Sequence, residues 1–342
     1  MILIDFVYLN SPGGIVILEY ILGYIKSNNL KSKCFILFDE RNFKVSFDSF
    51  QHQVINASER SRLIFYYKKR KKFNALFCVA NVPPPIKSKI KTYIFFHNEL
   101  ILNSKNLDLG LSQRSFFLLK RLYIKWLNHS NYDWLVQTDV MKTKLNTKFK
   151  SNKIFVAPIF NNLTTSKSIK YTNTFLYPTS NNIHKNNSIL ISSFISASKK
   201  TNQNITLYIT LKESDIINFK NFKMPTNLKI IFLGTLEYSA LKNYYFSSQF
   251  IIYPSLRESF GLPLIEGAQA GCYVLASNLD YANEIINPTL VFDPKSIRSI
   301  STTILRVISE EKLSETKIKS KDNLHYIMSK LLKAEKSFIE HK

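Results

Sequence analysis

The chain has 342 residues, of which 45% are hydrophobic, and this predicts a globular protein of two domains rather than a disordered or fibrous one. Lysine and arginine outnumber aspartate and glutamate by 47 to 24, so the formal net charge is 47 − 24 = +23. This charge indicates an anionic partner such as nucleic acid, an acidic membrane or a phosphate-bearing substrate. A general bias of the composition toward Asn, Ile and Lys would also produce a high positive charge that serves no function. This alternative stays open.

Three cysteines, Cys34, Cys78 and Cys272, stand singly among apolar neighbours. Their spacing fits neither a disulfide framework nor a cysteine metal site, so we expect buried thiols in a reducing compartment. The start of the chain, MILIDFVYLN, is a strand pattern without a basic leader. No apolar run reaches the ~18–20 residues that a spanning helix needs. We therefore expect a cytoplasmic protein, or one attached to the inner face of the cytoplasmic membrane.

The first half begins with an apolar strand pattern at residues 2–8 and a helical pattern at residues 15–26. Between them, Ser11, Pro12, Gly13 and Gly14 predict a tight loop. The glycine pair indicates either simple turn chemistry or a loop that a ligand approaches closely, and we favour the second.

Further strands are predicted at residues 33–38, 75–79, 92–96, 134–138 and 153–157, while residues 40–60 are polar and irregular. His97 directly follows the strand at 92–96. A histidine at the carboxyl end of a sheet strand is a candidate site residue, although a lone histidine is more often structural.

Two segments combine aromatic and basic residues. Residues 68–72 (KKRKK) end an aromatic stretch, and they indicate either a solvated helix end or a site for acidic lipid headgroups. Residues 112–128 (SQRSFFLLKRLYIKWLN) predict a helix on which five apolar residues can share a face: Phe116, Leu119, Tyr123, Trp126 and Leu127. We favour a core helix with a basic outer face, and the alternative is a helix at a membrane surface.

The second half starts after a polar stretch at residues 158–172, which predicts a linker between domains at residues 1–165 and 166–342. A new alternation of strands and helices follows, with strands at residues 174–177, 205–210 and 228–233 and a helix at 238–247. The first of these strands leads into a polar loop, SNNIHKNNS, which contains Lys185.

The most informative stretch is residues 250–293. An apolar strand at 250–253 ends at Pro254, a polar loop follows, and a helix begins near Pro263 and ends near Gly271. The amino end of such a helix suits a phosphate, and Gly261 allows close approach of a ligand to the backbone. Glu258 and Glu266 flank the turn with seven residues between them, and carboxylates suit hydroxyl-rich ligands. This arrangement predicts a nucleotide-sugar site, and the alternative is that both glutamates are solvated surface groups.

The segment closely resembles the retaining glycosyltransferases of family 4. It carries their Glu-x7-Glu signature as Glu258 and Glu266, within the shared residues Pro254-Ser255, Glu258-Ser259-Phe260-Gly261-Leu262-Pro263 and Glu266-Gly267. The resemblance implies the GT-B fold, an α/β class in which two Rossmann-like β/α/β domains face a central cleft. It implies that the first domain binds the acceptor, that the second binds the nucleotide sugar, and that the last helix crosses back to the first domain.

The resemblance also implies roles for individual residues. His97 and Glu258 are the catalytic candidates, with Glu258 holding donor-sugar hydroxyls and His97 orienting the donor sugar from the opposite domain. Glu266 accepts hydrogen bonds from the ribose, and Lys185 together with the helix end near Gly261 and Leu262 stabilises the departing diphosphate. The remaining donor-binding candidates are Gly13, Gly14, Gly234, Ser259 and Phe260. Ser180 stands where the family has an arginine, a change that removes one bidentate phosphate contact.

We therefore expect a glycosyltransferase that needs no metal or other cofactor and moves a sugar from a nucleotide-sugar donor to a saccharide acceptor. Strong positive charge favours a lipid-diphosphate-linked acceptor and peripheral contact with an anionic membrane, as in surface polysaccharide or O-antigen synthesis. Two alternatives stay open. One is another GT-B enzyme such as a sugar-nucleotide epimerase. The other is a basic nucleic-acid-binding protein, although the sequence contains no recognition module and we expect no nucleic-acid partner.

Overall fold

The structure is a computed structural model that describes residues 1–42, 49–102, 110–149, 153–163, 169–216 and 223–340. It divides into two compact units, of which the first is Met1–Asn161 together with Lys321–Lys342 and the second is Asn162–Ser320. The division predicted between residues 165 and 166 falls among residues 164–168, outside the described residues. The carboxyl-terminal segment is part of the first unit.

The first unit contains a seven-stranded parallel sheet in the order β3-β2-β1-β4-β5-β6-β7. Its central strands are buried along their whole length, as expected of apolar runs in a parallel sheet covered on both faces. The chain moves outward from β1 in one direction and restarts at β4 in the other, so the topological switch point lies between β1 and β4. The strands are β1 (Ile2–Asp5), β2 (Cys34–Asp39), β3 (Gln51–Ile55), β4 (Ala75–Cys78), β5 (Lys91–Phe95), β6 (Tyr132–Val136) and β7 (Ile154–Val156).

Helices connect these strands, and the last helix of the chain packs against β1 and β4. Asp322 fixes this helix, since its carboxylate accepts hydrogen bonds from the Phe160 N–H at 3.1 Å and the Tyr20 hydroxyl at 2.8 Å. The helices of this unit are α1 (Pro12–Ser27), α2 (Glu59–Lys69), α3 (Glu99–Leu102), α4 (Leu111–Leu127), α5 (Asp139–Phe149) and, at the end of the chain, α11 (Leu324–Glu340).

The second unit contains a six-stranded parallel sheet in the order β10-β9-β8-β11-β12-β14, with its switch point between β8 and β11. A separate antiparallel pair joins β13 to β15. The strands are β8 (Tyr171–Tyr177), β9 (Ile205–Ile209), β10 (Leu228–Phe232), β11 (Ser248–Tyr253), β12 (Tyr273–Ser277), β13 (Ile286–Asn287), β14 (Leu290–Phe292) and β15 (Lys317–Ile318). The helices are α6 (Asn187–Ser198), α7 (Tyr238–Ser247), α8 (Leu262–Gln269), α9 (Asp280–Ile285) and α10 (Ile297–Ser309).

Helix α8 lies unusually close to strand β11. A Cβ atom added to Gly267 would stand 2.3 Å from Cγ1 of Ile251, so only a glycine permits this approach. The glycine of the shared Glu266-Gly267 pair therefore has a packing function. It holds α8, and with it the loop that precedes the helix, directly on the central strand.

Three expectations from the sequence are wrong. Residues 11–14 do not form a loop, because α1 begins at Pro12, and the Ser11 hydroxyl caps the helix by accepting from the Gly14 N–H at 3.2 Å. Part of the region predicted to be irregular forms β3, an edge strand whose polar side chains are largely exposed. Helix α4 does pack on the core, but the apolar face predicted for it is largely wrong, because Phe116, Leu119 and Trp126 are 58%, 65% and 65% exposed and Leu127 is buried.

Candidate functional site

The candidate donor site lies at the switch point of the second unit, where the loops after β8 and β11 leave the carboxyl edge of the sheet. The Leu256 N–H donates to the His184 carbonyl at 2.8 Å, which ties the two loops together. Asn186, in the left-handed conformation at φ 62°, donates from Nδ2 to the carbonyls of Pro254 and Pro294 at 3.3 and 2.6 Å. These bonds fix the backbone on either side of Lys185.

Lys185, Tyr253 and Glu258 form a closed triangle of hydrogen bonds at this edge. The Lys185 ammonium lies 2.6 Å from Oε1 of Glu258 and 3.0 Å from the Tyr253 hydroxyl, and that hydroxyl donates to the same Oε1 at 3.0 Å. The Lys185 and Glu258 side chains are each only 14% exposed, so solvent screens the ion pair weakly. Burial first, and then the Glu258 carboxylate, hold the pKa of Tyr253 well above its usual range, so its hydroxyl stays a neutral donor.

The triangle leaves hydrogen-bonding capacity on each charged group. An ammonium has three N–H donors, and two of those on Lys185 are used. Among the described residues, Oε2 of Glu258 has no hydrogen-bond donor. The site therefore offers a cationic donor and an anionic acceptor side by side, which is what a ligand with adjoining phosphate and hydroxyl groups requires.

Glu266 lies on α8 and is 6% exposed. Its Oε1 accepts a hydrogen bond from Tyr238 and its Oε2 one from Tyr245, each at 2.7 Å. Burial raises the pKa of Glu266, while the two tyrosine hydroxyls and Lys242 act in the opposite direction. Neither glutamate of the signature is a solvated surface group, so that alternative is wrong.

The turn before α8 has the geometry that its glycine predicts. Gly261 adopts φ 93° at the N-cap position, where a side chain would be strained. Its carbonyl accepts from the Leu264 N–H at 2.9 Å and Pro263 has no N–H, so the first-turn N–H without a partner in the helix is that of Leu262. Leu262 is the first helical residue, Ser259 is partly buried in the loop, and Phe260 is 2% exposed. This helix end can therefore receive an anion.

Of two further predicted residues, Gly234 stands apart from this triangle in the sheet order, whereas Ser180 shares the loop after β8 with Lys185. Gly234 follows β10, which β9 separates from β8, and it adopts φ 62° while its N–H donates to the Leu211 carbonyl at 2.9 Å. Ser180, at the position of the family arginine, accepts from Asn182 Nδ2 at 2.8 Å and does not supply a cation. Lys185 is therefore the lysine that this loop places at the switch point.

In the first unit, His97 follows β5 and its ring stacks on Phe95 with centroids 5.4 Å apart. Its backbone N–H donates to Oδ1 of Asn81 at 2.6 Å, and its Nε2 lies 3.2 Å from Nδ2 of Asn81. Because an amide nitrogen only donates, the hydrogen-bond network assigns Nε2 as the acceptor and places the ring proton on Nδ1. That assignment agrees with a hydrogen bond between the ring and the backbone of Val79.

His97 is therefore a neutral imidazole held from both sides. Its pKa is lowered from 6.5 to about 4, mainly by burial and to a smaller extent by the Lys120 ammonium, while the hydrogen bond to the Val79 backbone acts in the opposite direction. A ligand hydroxyl must replace one of these partners to bind the ring directly. Asn81 itself adopts φ 69° in the loop after β4, at the switch point of this unit.

Gly13 and Gly14 lie in the first turn of α1, on the other side of the same switch point. A Cβ atom on Gly14 would stand 2.9 Å from both Cδ1 of Leu9 and Oγ of Ser11, which gives this glycine a packing reason. Gly13 is exposed. The helix end can bind an anion, but these contacts alone assign it none.

Sequence patterns did not identify the residues that hold the candidate groups. Tyr253 is the last residue of an apolar strand, and Tyr238 and Tyr245 lie seven residues apart on α7, so they carry no motif. Asn81 had a usable signal, because a polar residue directly after a buried strand lies at the ligand edge of a parallel sheet. Among the described residues, no three His, Cys, Asp or Glu side chains converge as a metal site would require. Independence from metal stays a prediction.

Comparison with known protein families identifies a match in the second half of the chain. Residues 164–323 match the model of the glycosyl transferases group 1 family. The O-antigen chain mannosyltransferase B of Escherichia coli is 32% identical over 87 residues, which are 25% of this chain and 23% of that protein. The O-antigen chain mannosyltransferase RfbU of Salmonella typhimurium strain LT2 is 27% identical over 198 residues, 56% of this chain and 54% of that protein. The chain thus matches between a quarter and about half of the length of these relatives.

Solved structures show the same fold. Sucrose-phosphate synthase from Thermosynechococcus elongatus superimposes with a TM-score of 0.67 at 13% identity, over 90% of each chain. Anabaena Alr3699/HepE in complex with UDP and glucose has a TM-score of 0.65 at 12% identity, over 100% of this chain and 99% of that one. The fold class predicted from the sequence, GT-B with two Rossmann-like domains, is confirmed.

Residues 164–323, a little less than half of the chain, are therefore similar to the group 1 glycosyltransferases. The resemblance read from the sequence is confirmed at this level, and the narrower assignment to family 4 stays a prediction. The matched region contains the triangle of Lys185, Tyr253 and Glu258, as well as Glu266.

Proposed function

We propose that this chain is a retaining hexosyltransferase that moves a sugar from a nucleotide-sugar donor to a saccharide acceptor. The triangle of Lys185, Tyr253 and Glu258 carries the proposal, because it places a phosphate-binding cation beside a hydroxyl-binding carboxylate at a switch point. The group 1 match and the two O-antigen mannosyltransferases support transfer of a hexose. A solved relative of the same fold holds UDP and glucose, which supports a nucleotide-sugar donor.

In the proposed reaction, the bond between the anomeric carbon and the diphosphate oxygen breaks. The acceptor hydroxyl oxygen bonds to the same face of that carbon, and its proton leaves with the nucleoside diphosphate. The free N–H of Lys185 and the amino end of α8 at Gly261 and Leu262 stabilise the negative charge of the leaving group. Oε2 of Glu258 binds donor-sugar hydroxyls.

Glu266 is proposed to serve the ribose. Both of its carboxylate oxygens already accept from tyrosines. Tyr238 is only partly buried, so its hydroxyl is the partner that a ribose hydroxyl would replace or join. Gly234, Ser259 and Phe260 complete the proposed donor site. In the first unit, Gly13 and Gly14 are proposed to meet the donor, and His97 is proposed to orient the donor sugar with Asn81 as its positioning residue.

We propose that the acceptor is a saccharide on a lipid diphosphate, made during O-antigen or related surface polysaccharide synthesis. The relatives' function in O-antigen chains and the net charge of +23 support this substrate. The enzyme would then work at the inner face of the cytoplasmic membrane as a peripheral protein. No described helix is both long and apolar enough to cross a bilayer.

The test is calorimetry with a panel of nucleotide sugars, followed by incubation of the best binder with lipid-diphosphate-linked saccharides. We expect one donor to bind and to release free nucleoside diphosphate only when an acceptor gains a sugar. Conversion of the donor sugar to its epimer without an acceptor would instead identify a sugar-nucleotide epimerase. Absence of binding by every nucleotide sugar, together with salt-dependent binding of oligonucleotides, would contradict both enzyme functions.

A further inference from the structure

Helix α4 turns an apolar face toward solvent along its whole length. Leu111, Leu118, Leu119, Leu122 and Trp126 are between 48% and 82% exposed. Successive positions 111, 118, 122 and 126 are seven, four and four residues apart, so these side chains form one stripe on the helix. Such a stripe is ordinarily buried against a core.

The opposite face of α4 is the one that packs inward. Ile124 and Leu127 are buried at 0% and 1% exposure, and Phe117 packs against the core cluster that includes Ile124 and Trp134. The helix therefore has its own core contact already. The exposed stripe is a second apolar face, which the unit does not use for folding.

Helix α2 is a neighbour of α4 and has a similar face. The Tyr123 hydroxyl of α4 donates to Oε2 of Glu59 on α2 at 2.8 Å, which joins the two helices. On α2, Leu63, Ile64 and Tyr67 are 44%, 45% and 76% exposed. We refer to the exposed side chains of both helices as the α2–α4 surface: Leu63, Ile64, Tyr67, Leu111, Leu118, Leu119, Leu122 and Trp126.

The exposed charges beside this surface are mostly basic, with Glu59 at the start of α2 as an acidic exception. Helix α4 contains no acidic residue, and its exposed basic residues are Arg114 and Lys125. Helix α2 ends in the basic run at residues 68–72, of which Lys68, Lys71 and Lys72 are exposed. An apolar stripe with basic residues beside it matches the boundary between anionic lipid headgroups and acyl chains. A nucleic acid would satisfy the cations but would leave the exposed leucines without an apolar partner.

We propose that the α2–α4 surface docks on an anionic lipid membrane, with the leucines of α4 and Trp126 entering the headgroup–acyl boundary and the basic residues contacting headgroups. This docking surface specifies the membrane contact within the proposed function. The docking surface can be tested separately from sugar transfer, because vesicle binding is measured without donor or acceptor.

The chain contains its own probe of this surface. It has two tryptophans, of which Trp126 is 65% exposed on α4 and Trp134 is fully buried in the core. With the full chain and vesicles of phosphatidylcholine and phosphatidylglycerol, we expect a blue shift of the emission and weaker quenching by acrylamide. The Trp126→Phe variant should bind the vesicles but lose both changes.

Sedimentation with the same vesicles tests the apolar and basic parts separately. The double variant Leu119→Glu/Leu122→Glu should lower the partition coefficient between vesicles and solution at least tenfold. A matched control is Ile297→Glu, which replaces an exposed apolar residue (42%) on α10 of the second unit and should bind as the wild type does. The triple variant Lys68→Gln/Lys71→Gln/Lys72→Gln should weaken binding to anionic vesicles and reduce its dependence on salt.

Three results would overturn the docking surface: unchanged binding by the leucine variant, equal binding to vesicles of phosphatidylcholine alone, or no binding to vesicles alongside tight binding of an oligonucleotide. Every substituted side chain is exposed, so we expect the variants to fold. Circular dichroism checks this and excludes misfolding as the cause of lost binding. A chain that binds vesicles through this surface but transfers no sugar would overturn the proposed function alone.

Discussion

Replacing Glu258 and Lys185 separately distinguishes their two proposed roles. In the structure they form one ion pair with Oε1 and Nζ 2.6 Å apart, so a purely structural role predicts that both substitutions have the same effect. The proposed mechanism predicts opposite effects on nucleotide binding. Lys185 offers its remaining N–H to the diphosphate, whereas Glu258 offers Oε2 to the sugar.

The expected magnitudes follow from these bonds. Lys185→Ala removes a charge-assisted hydrogen bond to phosphate, which contributes about 1.5–3 kcal/mol, so affinity for the nucleoside diphosphate should fall roughly 10- to 100-fold. Glu258→Gln keeps the shape of the side chain but removes the charge that neutralises Lys185. Affinity for the nucleoside diphosphate should then be unchanged or up to about tenfold higher, because the pair is weakly screened.

Sugar transfer should nevertheless fall in both variants. Glu258→Gln replaces an anionic acceptor of sugar hydroxyls with a neutral amide, and a loss of about 1.5–3 kcal/mol in the transition state lowers kcat at least tenfold. Calorimetry with UDP and GDP, combined with rates of nucleotide release, measures both quantities. Equal weakening of nucleoside diphosphate binding in the two variants would refute the division of roles. Normal transfer by Glu258→Gln would refute the role of that carboxylate.

Three further predictions concern other residues. Asn81→Asp should raise the pKa of His97 from about 4 toward 6.5 or higher, because a carboxylate beside Nε2 stabilises the imidazolium; an NMR titration in which the pKa stays near 4 would contradict the assigned contact. Gly267→Ala should lower the free energy of unfolding by about 1–3 kcal/mol, since its Cβ meets Ile251, and an unchanged denaturant midpoint would contradict the packing. Ser180→Arg should tighten UDP or GDP binding several-fold by restoring a bidentate cation, and unchanged affinity in calorimetry would show that this position does not face phosphate.

The sequence was informative where one stretch of chain defines the structure by itself. Parallel strands buried on both faces appear as apolar runs, so most central strands were located within a few residues. The loop after β11 could be read from Pro254, Gly261 and Pro263, because these residues restrict the backbone on their own. The helix at residues 238–247 was predicted with the bounds that the structure shows.

Contacts between separate segments could not be predicted in this way. Glu266 was expected to meet a ligand, yet its partners Tyr238 and Tyr245 come from a different helix and leave no pattern next to it. Asn81 meets His97 only because β4 and β5 are paired in the sheet.

Helix α4 shows a different limit of the sequence. Periodicity identifies an apolar face, but burial depends on which other elements cover that face. In this protein Ile124 and Leu127 face the core, and the stripe that includes Leu119 and Trp126 faces solvent. Which of the two faces is exposed became apparent only in the structure.

The most direct test of the account is the anomeric configuration of the product formed from the donor that binds. A nucleotide sugar labelled with carbon-13 at its anomeric carbon is incubated with the enzyme and a lipid-diphosphate-linked saccharide, and the carbon–hydrogen coupling of the new linkage is measured by NMR. A retaining transferase gives a wild-type product with the anomeric configuration of the donor, and we expect the Lys185→Ala and Glu258→Gln variants to form it at least tenfold more slowly. An inverted linkage, or unchanged rates in both variants, would contradict the account.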